Sequence, residues 1–250
     1  MNDSPKLLFL GQAVSQEVLA LARRCSESLG TTWLHTGTDL GLEEPPSGPL
    51  YIFDAPAYDN STTASRARTW LKYVAAALPF AMKAGGKPTL LLSSNPPILA
   101  VVGYLCQRIK GWRYVVRVLD VFPDVTTQRE MFPANHPIPR LWSRFNRISY
   151  SRADAIITLG DVMADRVRQY TDSDRVVVIP DWVDTETIRP MDKADNWFAK
   201  EHGLVDDLTV MYSGNYGDSH DLSGVFDAMG HFGEGDGVRF LLIGGGGRGD

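Results

Sequence analysis

Short apolar segments that alternate with helical stretches constrain the fold of this chain more than any other feature of its sequence. Thr89–Ser93, Tyr114–Leu119 and Ala155–Thr158 each have the length and apolar content of a short strand. Helical patterns separate these strands at Asn95–Ile109 and Arg140–Ser151. Strands that are apolar throughout, rather than alternating, are typical of a parallel sheet covered by helices on both faces.

The same alternation extends over the first 183 residues. Further strands are predicted at Leu7–Gly11, Trp33–His35, Tyr51–Asp54 and Arg175–Ile179, and further helices at Ser15–Leu29, Thr63–Lys83 and Asp161–Gln169. Strand–helix–strand units form right-handed crossovers between parallel strands. We therefore expect a complete doubly wound, Rossmann-like α/β domain over residues 1–183.

A second α/β pattern begins after an acidic linker at residues 184–196. It has a strand at Thr209–Ser213, a glycine turn at Gly214–Gly217, a helix at Leu222–Met229 and a strand at Phe240–Ile243. Two strands and one helix cannot cover both faces of a parallel sheet, and a unit of roughly 60 residues has a small core. We therefore expect residues 197–250 to be the start of a second Rossmann-like domain, truncated at its C-terminal end.

Composition and charge exclude several classes of protein. The 250 residues are 44% hydrophobic and 22% charged, which is typical of a globular chain and excludes disorder or a disulfide scaffold. A net charge of −5 gives no overall attraction to nucleic acid. Neither a leader peptide nor an apolar run of roughly 20 residues is visible. We expect a cytoplasmic protein, either soluble or peripheral at the inner face of the membrane.

Two acidic residues follow a predicted strand at the position where open α/β sheets bind ligands. Asp120 and Asp124 come after Tyr114–Leu119, in a loop stiffened by Phe122-Pro123. Carboxylates there can orient an acceptor hydroxyl or take its proton, so both are candidate catalytic residues. They can equally cap the following segment and balance nearby arginines.

Two glycine-rich segments of the second pattern are candidates for phosphate and nucleotide binding. The first carries Gly214, Asn215, Gly217 and His220, and the second carries Gly244, Gly245 and Gly246. Backbone N–H groups at such a strand end can approach a diphosphate closely, and a helix N-terminus assists. A tight turn without a ligand explains the first segment as well, and a flexible tail explains the second. Neither has the spacing of a dinucleotide fingerprint.

A basic stretch between Arg108 and Arg152 contains nine basic residues and three acidic ones. Its helix has an apolar stripe of Leu141, Phe145 and Ile148, a basic stripe of Arg140, Arg144 and Arg147, and the aromatic Trp142. Such a helix suits contact with an anionic membrane surface or with a lipid-diphosphate acceptor. Alternatively, the apolar stripe faces the core and the arginines are solvated.

The spacing of histidines and aspartates indicates no metal site. The five histidines show no metal-ligand spacing. Asp172 and Asp174 have the Asp-x-Asp spacing of metal-dependent transferases, but they precede a strand and so belong at the opposite end of the sheet. We therefore predict no bound metal.

Five segments, taken in order, resemble glycosyltransferase family 4. They are residues 117–124 (RVLDVFPD), 153–158 (ADAIIT), 178–184 (VIPDWVD), 212–215 (YSGN) and 240–246 (FLLIGGG). The resemblance covers nearly the whole chain and is strongest after Thr89. It implies a GT-B fold, with an acceptor domain first, a nucleotide-sugar domain second and the active site between them.

The resemblance also implies a reaction and its site residues. A sugar would pass, with retention of configuration, from a UDP- or GDP-sugar to a glycan or lipid-linked acceptor in surface polysaccharide or glycolipid synthesis. No cofactor and no bound metal are implied, and backbone amides and cationic groups would stabilise the leaving diphosphate. The matching positions are Asp120 in the loop facing the donor sugar, Gly214, Asn215, Gly217 and His220 in the diphosphate loop, and Gly244–Gly246 near the nucleotide.

The sequence departs from the family pattern at several places, and two other functions stay open. Leu119 stands where many relatives have a histidine, and the loop after the first strand has one glycine, Gly11. A truncated binding module without catalytic activity is one alternative. A nucleotide-binding Rossmann oxidoreductase that uses Gly244–Gly247 is the other.

Overall fold

The computed structural model describes residues 4–42, 46, 48–124, 136–216, 221–233 and 235–245. Contacts between residues divide the chain into two compact units, Met1–Trp182 and Val183–Asp250. The first unit holds a seven-stranded sheet and the second a two-stranded sheet.

Seven parallel strands form the sheet of the first unit. They are β1 (Leu7–Leu10), β2 (Thr32–Thr36), β3 (Leu50–Asp54), β4 (Thr89–Ser93), β5 (Tyr114–Arg117), β6 (Ala155–Thr158) and β7 (Val176–Val178). Their order is β3-β2-β1-β4-β5-β6-β7, with every neighbouring pair parallel. The direction of winding reverses between β1 and β4, which is the switch point where such sheets bind ligands. The predicted doubly wound fold is confirmed.

Five α-helices of the first unit lie among the described residues. They are α1 (Gln16–Leu29), α2 (Thr63–Lys83), α3 (Ala100–Lys110), α4 (Pro137–Tyr150) and α5 (Asp161–Val167). Local sequence sets their ends. Thr62 and Ser65 form a reciprocal capping box at the start of α2, with both side chain–backbone bonds at 3.0 Å. Gly111 ends α3 in the left-handed conformation, with φ of 70°.

Apolar strands bury side chains on both faces of the sheet. One face carries Leu8, Leu10, Leu90, Leu92 and Val116 under α2 and α3, and the other carries Leu7, Phe9, Leu34 and Leu91 under α1. Successive residues of a strand point to opposite faces, so β1 contributes to both layers. Each such burial stabilises the fold by about 1.5–3 kcal/mol. The sheet therefore forms a rigid base for the loops at its carboxyl edge.

Several boundaries of the first unit differ from the predictions, and two of them lie at the carboxyl edge of the sheet. α3 begins at Ala100 rather than at Asn95, because Leu99 N bonds to Pro96 O at 2.9 Å and Val101 N to Ile98 O at 3.1 Å, in successive tight turns. β5 ends at Arg117: Val118 N still bonds to Ile157 O of β6 at 2.8 Å, but Leu119 N turns to the Ser94 hydroxyl at 2.8 Å. The acidic loop thus starts two residues earlier than expected.

The second unit is a strand–helix–strand arrangement preceded by a short helix. It contains α6 (Trp197–Glu201), β8 (Leu208–Asn215), α7 (Ser223–Met229) and β9 (Val238–Gly245). β8 and β9 are parallel and pair from Leu208 with Val238 to Asn215 with Gly245. Both strands run further than predicted: the sequence analysis put Gly214 and Asn215 in a turn, and these residues instead continue the ladder.

Candidate functional site

The loops that follow β1 and β4 meet at the switch point of the first sheet. Gln12 N donates to Asn95 O at 2.8 Å, and this bond joins the two loops. Gly37 N in turn donates to Gln12 O at 2.9 Å, and this bond connects the loop after β2 to the loop after β1. Three loops from neighbouring strands therefore share one edge, where a ligand can reach all of them.

Gln12 is the fully buried polar residue at the centre of this edge. Its Nε2 lies 3.1 Å from Pro56 O, 3.2 Å from Ala57 O and 3.1 Å from Thr69 O. These bonds tie the loop after β1 to the loop after β3 and to the first half of α2. Its Oε1 is buried and has no hydrogen-bond partner among the described residues. The first half of α2 is thus fixed across the carboxyl edge of the sheet.

The two predicted acidic residues differ in their surroundings. Asp120 is exposed directly beyond β5. Burial raises the pKa of the Tyr58 phenol, the Arg66 cation lowers it, and the Asp120 charge raises it, so these three side chains share one neighbourhood. Asp124 instead accepts a hydrogen bond from the Tyr170 hydroxyl at 3.3 Å. Asp120 is therefore open to a ligand, whereas Asp124 holds the loop against the end of α5.

An aromatic cluster borders the acidic loop. The rings of Phe122 and Trp142 are stacked, with centroids 5.2 Å apart and an interplanar angle of 13°. Trp70 of α2 meets both edge-on, at 5.8 Å from Phe122 and 6.5 Å from Trp142. Asn146 Nδ2 also donates to Phe122 O at 2.5 Å. The loop that carries Asp120 is thereby fastened to α4.

Helix α4 exposes both of the stripes recognised in the sequence. Ile138, Leu141, Phe145 and Ile148 are 45%, 55%, 46% and 39% exposed, and Arg140, Arg144 and Arg147 are exposed as well. The buried face instead carries Asn146, Ser149 and Tyr150, with Trp142 half-buried. The alternative in which the apolar stripe faces the core is therefore wrong. Among the described residues we find no helix with the length and apolarity that crossing a bilayer requires.

An ion pair between a buried arginine and an exposed aspartate joins two of the segments that carry the family resemblance. The Arg117 side chain is 5% exposed, and its Nη2 bonds to Oδ1 of Asp181, a side chain that is 55% exposed. The Arg117 guanidinium also lies over the Trp182 ring, 5.4 Å from its centroid. This contact fixes the end of the first unit to the carboxyl edge of β5.

The glycine positions of the second unit come together at the ends of its two strands. Gly214 pairs with Gly244, and Asn215 pairs with Gly245. Gly244 has a φ of 154°, and a Cβ there would collide with the Gly214 carbonyl, so only glycine fits. Gly217, His220 and Gly246 lie outside the described residues. Predicted diphosphate and nucleotide segments are therefore neighbours along one strand pair.

Several residues of this site carried no signal in the sequence. Gln12, Arg66 and Trp70 are single polar or aromatic positions, and nothing in their local pattern indicates that they meet at one edge. Arg117 was visible as part of a resembling segment, but its partner Asp181 is 64 residues away. Contacts of such separation depend on the strand order rather than on local spacing.

Comparison with known proteins identifies relatives of the chain. A model of the glycosyl transferase 4-like domain matches residues 12–182. The probable glycosyltransferase WbjE of Pseudomonas aeruginosa is 23% identical over 141 residues, which cover 56% of this chain and 35% of that protein. The crystal structure of Anabaena Alr3699/HepE in complex with UDP and glucose has a TM-score of 0.65 at 17% identity, covering 97% of this chain and 61% of that one. Its complex with UDP-glucose gives a TM-score of 0.63 at 16% identity, with 96% and 60% covered.

The fold and the comparisons together identify the class of protein. A doubly wound parallel domain followed by a parallel strand–helix–strand unit fits the GT-B type of fold, as in the solved structures above. The family model spans more than half of the 250 residues. The chain belongs to the glycosyl transferase 4-like family.

Proposed function

We propose that the protein transfers a sugar from a nucleoside-diphosphate sugar to an acceptor bound by its first unit. The observation that carries this proposal is the match of residues 12–182 to the glycosyl transferase 4-like domain. A relative named as a probable glycosyltransferase and a similar fold crystallised with UDP-glucose support it. The donor is a UDP- or GDP-sugar, and no cofactor takes part.

The donor is held at the ends of β8 and β9. Backbone N–H groups of Gly214, Asn215 and Gly217, with His220, bind the diphosphate, and Gly244–Gly246 lie against the nucleotide. The pairing of Gly214 with Gly244 brings the two glycine segments together at the ends of the strands. Amide dipoles aimed at the leaving diphosphate stabilise its charge without a metal ion. We propose transfer with retention of anomeric configuration.

The acceptor hydroxyl is oriented by Asp120. This carboxylate is exposed at the edge of the sheet, whereas Asp124 is engaged by Tyr170. Asp120 therefore contacts the acceptor, and Asp124 positions the loop. The acceptor is a glycan or lipid-linked glycan of surface polysaccharide or glycolipid synthesis, which suits the exposed apolar and basic residues of α4.

Titration calorimetry and transfer assays test this function. UDP-glucose and GDP-mannose are titrated into the full-length protein, and products are analysed by NMR for the anomeric configuration, with and without a chelator. Asp120→Asn is expected to lower kcat by about 100-fold, as losses of positioned acid–base groups do. Asp124→Asn should lower it less. Failure of both donor classes to bind would refute the proposal.

We also propose that α4 rests on the inner face of an anionic membrane. Its exposed apolar residues would enter the interface and its arginines would contact lipid phosphates. Vesicle sedimentation tests this contact, with phosphatidylglycerol vesicles compared with phosphatidylcholine vesicles. Phe145→Glu should abolish binding, and Ile109→Glu, at an exposed apolar position near the end of α3, serves as the control. Equal binding to the two vesicle types would contradict the proposal.

A further inference from the structure

Ser94 and its neighbour Asn95 connect the switch point of the sheet to the acidic loop. Both follow β4, whose neighbours in the sheet are β1 and β5. On one side, Asn95 O accepts a hydrogen bond from Gln12 N of the loop after β1, at 2.8 Å. On the other side, the Ser94 hydroxyl accepts one from Leu119 N of the loop after β5, at 2.8 Å. Two adjacent residues therefore fix the loops on both sides of β4 relative to each other.

The backbone just before Asp120 is held by Ser94 through two hydrogen bonds. Val118 N still bonds to a carbonyl of β6, and Leu119 N is the next amide along the chain. A backbone N–H that has left the sheet needs another acceptor, and the hydroxyl of Ser94, a residue that is 6% exposed, supplies it. Ser94 N also donates to Arg117 O at 2.8 Å. Both bonds hold the segment that leads into Asp120.

A second anchor holds the backbone just after Asp120. Asn146 of α4 is 4% exposed, and its Nδ2 donates to Phe122 O at 2.5 Å. The Phe122 ring also stacks on Trp142, one helical turn before Asn146. Asp120 thus lies between an anchor at residue 119 and an anchor at residue 122, while its own side chain stays exposed.

The position of a carboxylate that orients an acceptor hydroxyl decides the rate of transfer. Reacting groups have to be held in contact and aligned, and a displacement of roughly 1 Å costs about 100-fold in rate. Because the Asp120 side chain is exposed, its position depends on the backbone on either side of it. The two anchors therefore supply the precision that the surroundings of the side chain do not.

We propose that Ser94 is a positioning residue for sugar transfer. Its hydroxyl holds the Leu119 amide and thereby keeps the Asp120 carboxylate where it orients the acceptor hydroxyl. Asn146 has the same role on the other side of Asp120, through the Phe122 carbonyl. The inference rests on the proposed function, and it adds to that function two residues that act through Asp120 rather than on the substrate.

Steady-state kinetics of sugar transfer by the full-length protein test this inference. Ser94→Ala removes the acceptor for the Leu119 amide and should lower kcat by about tenfold. The KM for the donor should not change, because the proposed donor site lies in the other unit. Ser94→Thr keeps the hydroxyl and should restore most of kcat. Ser93→Ala is the matched control: this residue is 2% exposed, its hydroxyl has no hydrogen-bond partner among the described residues, and kcat should be unchanged.

Combination with Asp120→Asn separates positioning from a general loss of structure. If Ser94 acts through Asp120, Ser94→Ala should lower kcat by less than about twofold once Asp120 is replaced. A general structural defect would instead lower kcat by the same factor in both backgrounds. Asn146→Leu keeps the approximate volume of the side chain but removes the donor to Phe122 O, and its effect should depend on Asp120 in the same way.

Hydrogen exchange followed by mass spectrometry measures the anchor itself. Peptides that contain Leu119 should exchange faster in Ser94→Ala than in the parent protein, and Ser93→Ala should match the parent. Unchanged exchange in Ser94→Ala, or a kcat equal to that of Ser93→Ala while sugar transfer is intact, would overturn the inference alone. If the parent protein transfers no sugar, or if Asp120→Asn transfers it as fast as the parent, it is the proposed function that fails.

Discussion

Replacing Asp181 with asparagine tests the buried charge at the edge of β5. The variant removes the carboxylate that balances the Arg117 cation, whose side chain is 5% exposed. Loss of one partner from a fully buried ion pair costs about 3–5 kcal/mol. Since the Asp181 side chain is 55% exposed, water can occupy the vacated position and screen the cation. We therefore expect a loss of about 1–2 kcal/mol in the free energy of unfolding.

A second variant separates the ion pair from the cost of the buried cation. Adding Arg117→Met to Asp181→Asn removes the charge whose desolvation the single variant leaves uncompensated. Methionine keeps the aliphatic part of the side chain against the sheet but loses the contact of the cation with the Trp182 ring. The double variant should recover about 1 kcal/mol of the stability lost by Asp181→Asn.

Urea unfolding followed by circular dichroism measures both effects. With a slope of about 2 kcal/mol per molar urea, the Asp181→Asn midpoint should fall by about 0.5–1 M. Asp172→Asn is the matched control, because its carboxylate forms an exposed pair with Arg175 at 3.6 Å and should change stability by less than about 0.5 kcal/mol. If Asp181→Asn shifts the midpoint no more than this control, or if the double variant is less stable than the single one, the reasoning is refuted.

Three further predictions concern burial and close packing. Burial lowers the pKa of His35 to about 4, so below pH 6.5 the unfolded protein binds a proton at this residue more readily than the folded protein does. The free energy of unfolding should therefore fall by about 2 kcal/mol between pH 7 and pH 4.5. Urea unfolding at each pH should show a smaller fall in His35→Phe. Gly103→Ala should cost about 1–3 kcal/mol of unfolding free energy, because its Cβ would lie 2.6 Å from the Tyr114 ring; a melting temperature equal to that of the parent would contradict this. Gly244→Ala should accelerate amide exchange in β8, whereas Gly245→Ala, with open space at its Cβ, should not.

The order of strands and helices could be predicted because each local signal agreed with the tertiary structure. Completely apolar strands such as β1 indicated a sheet buried on both faces, and the helical patterns between them indicated the crossovers. The errors have local causes. Pro96-Pro97 favoured a helix start, but the chain makes two tight turns first. Gly214 favoured a turn, but pairing with β9 keeps it in a strand.

The candidate site was predictable only in part. Asp120 follows a strand, and its place at the sheet edge followed from the fold. The orientation of α4 did not, because its apolar and basic stripes are compatible with either face pointing inward. The helix buries Asn146 and Ser149 instead, since Asn146 bonds to Phe122 O and Ser149 O accepts from the Tyr114 hydroxyl. These partners come from residues 24 and 35 positions away, beyond any local pattern.

The two sides of helix α4 have different contacts. One side presents Leu141 and Phe145 to the surroundings, and the other holds the carbonyl of Phe122, two residues after Asp120. The helix is therefore linked to the acidic loop by this hydrogen bond and by the stacked rings of Phe122 and Trp142. If α4 contacts a membrane as proposed, a change in its position would be passed directly to the loop that carries Asp120.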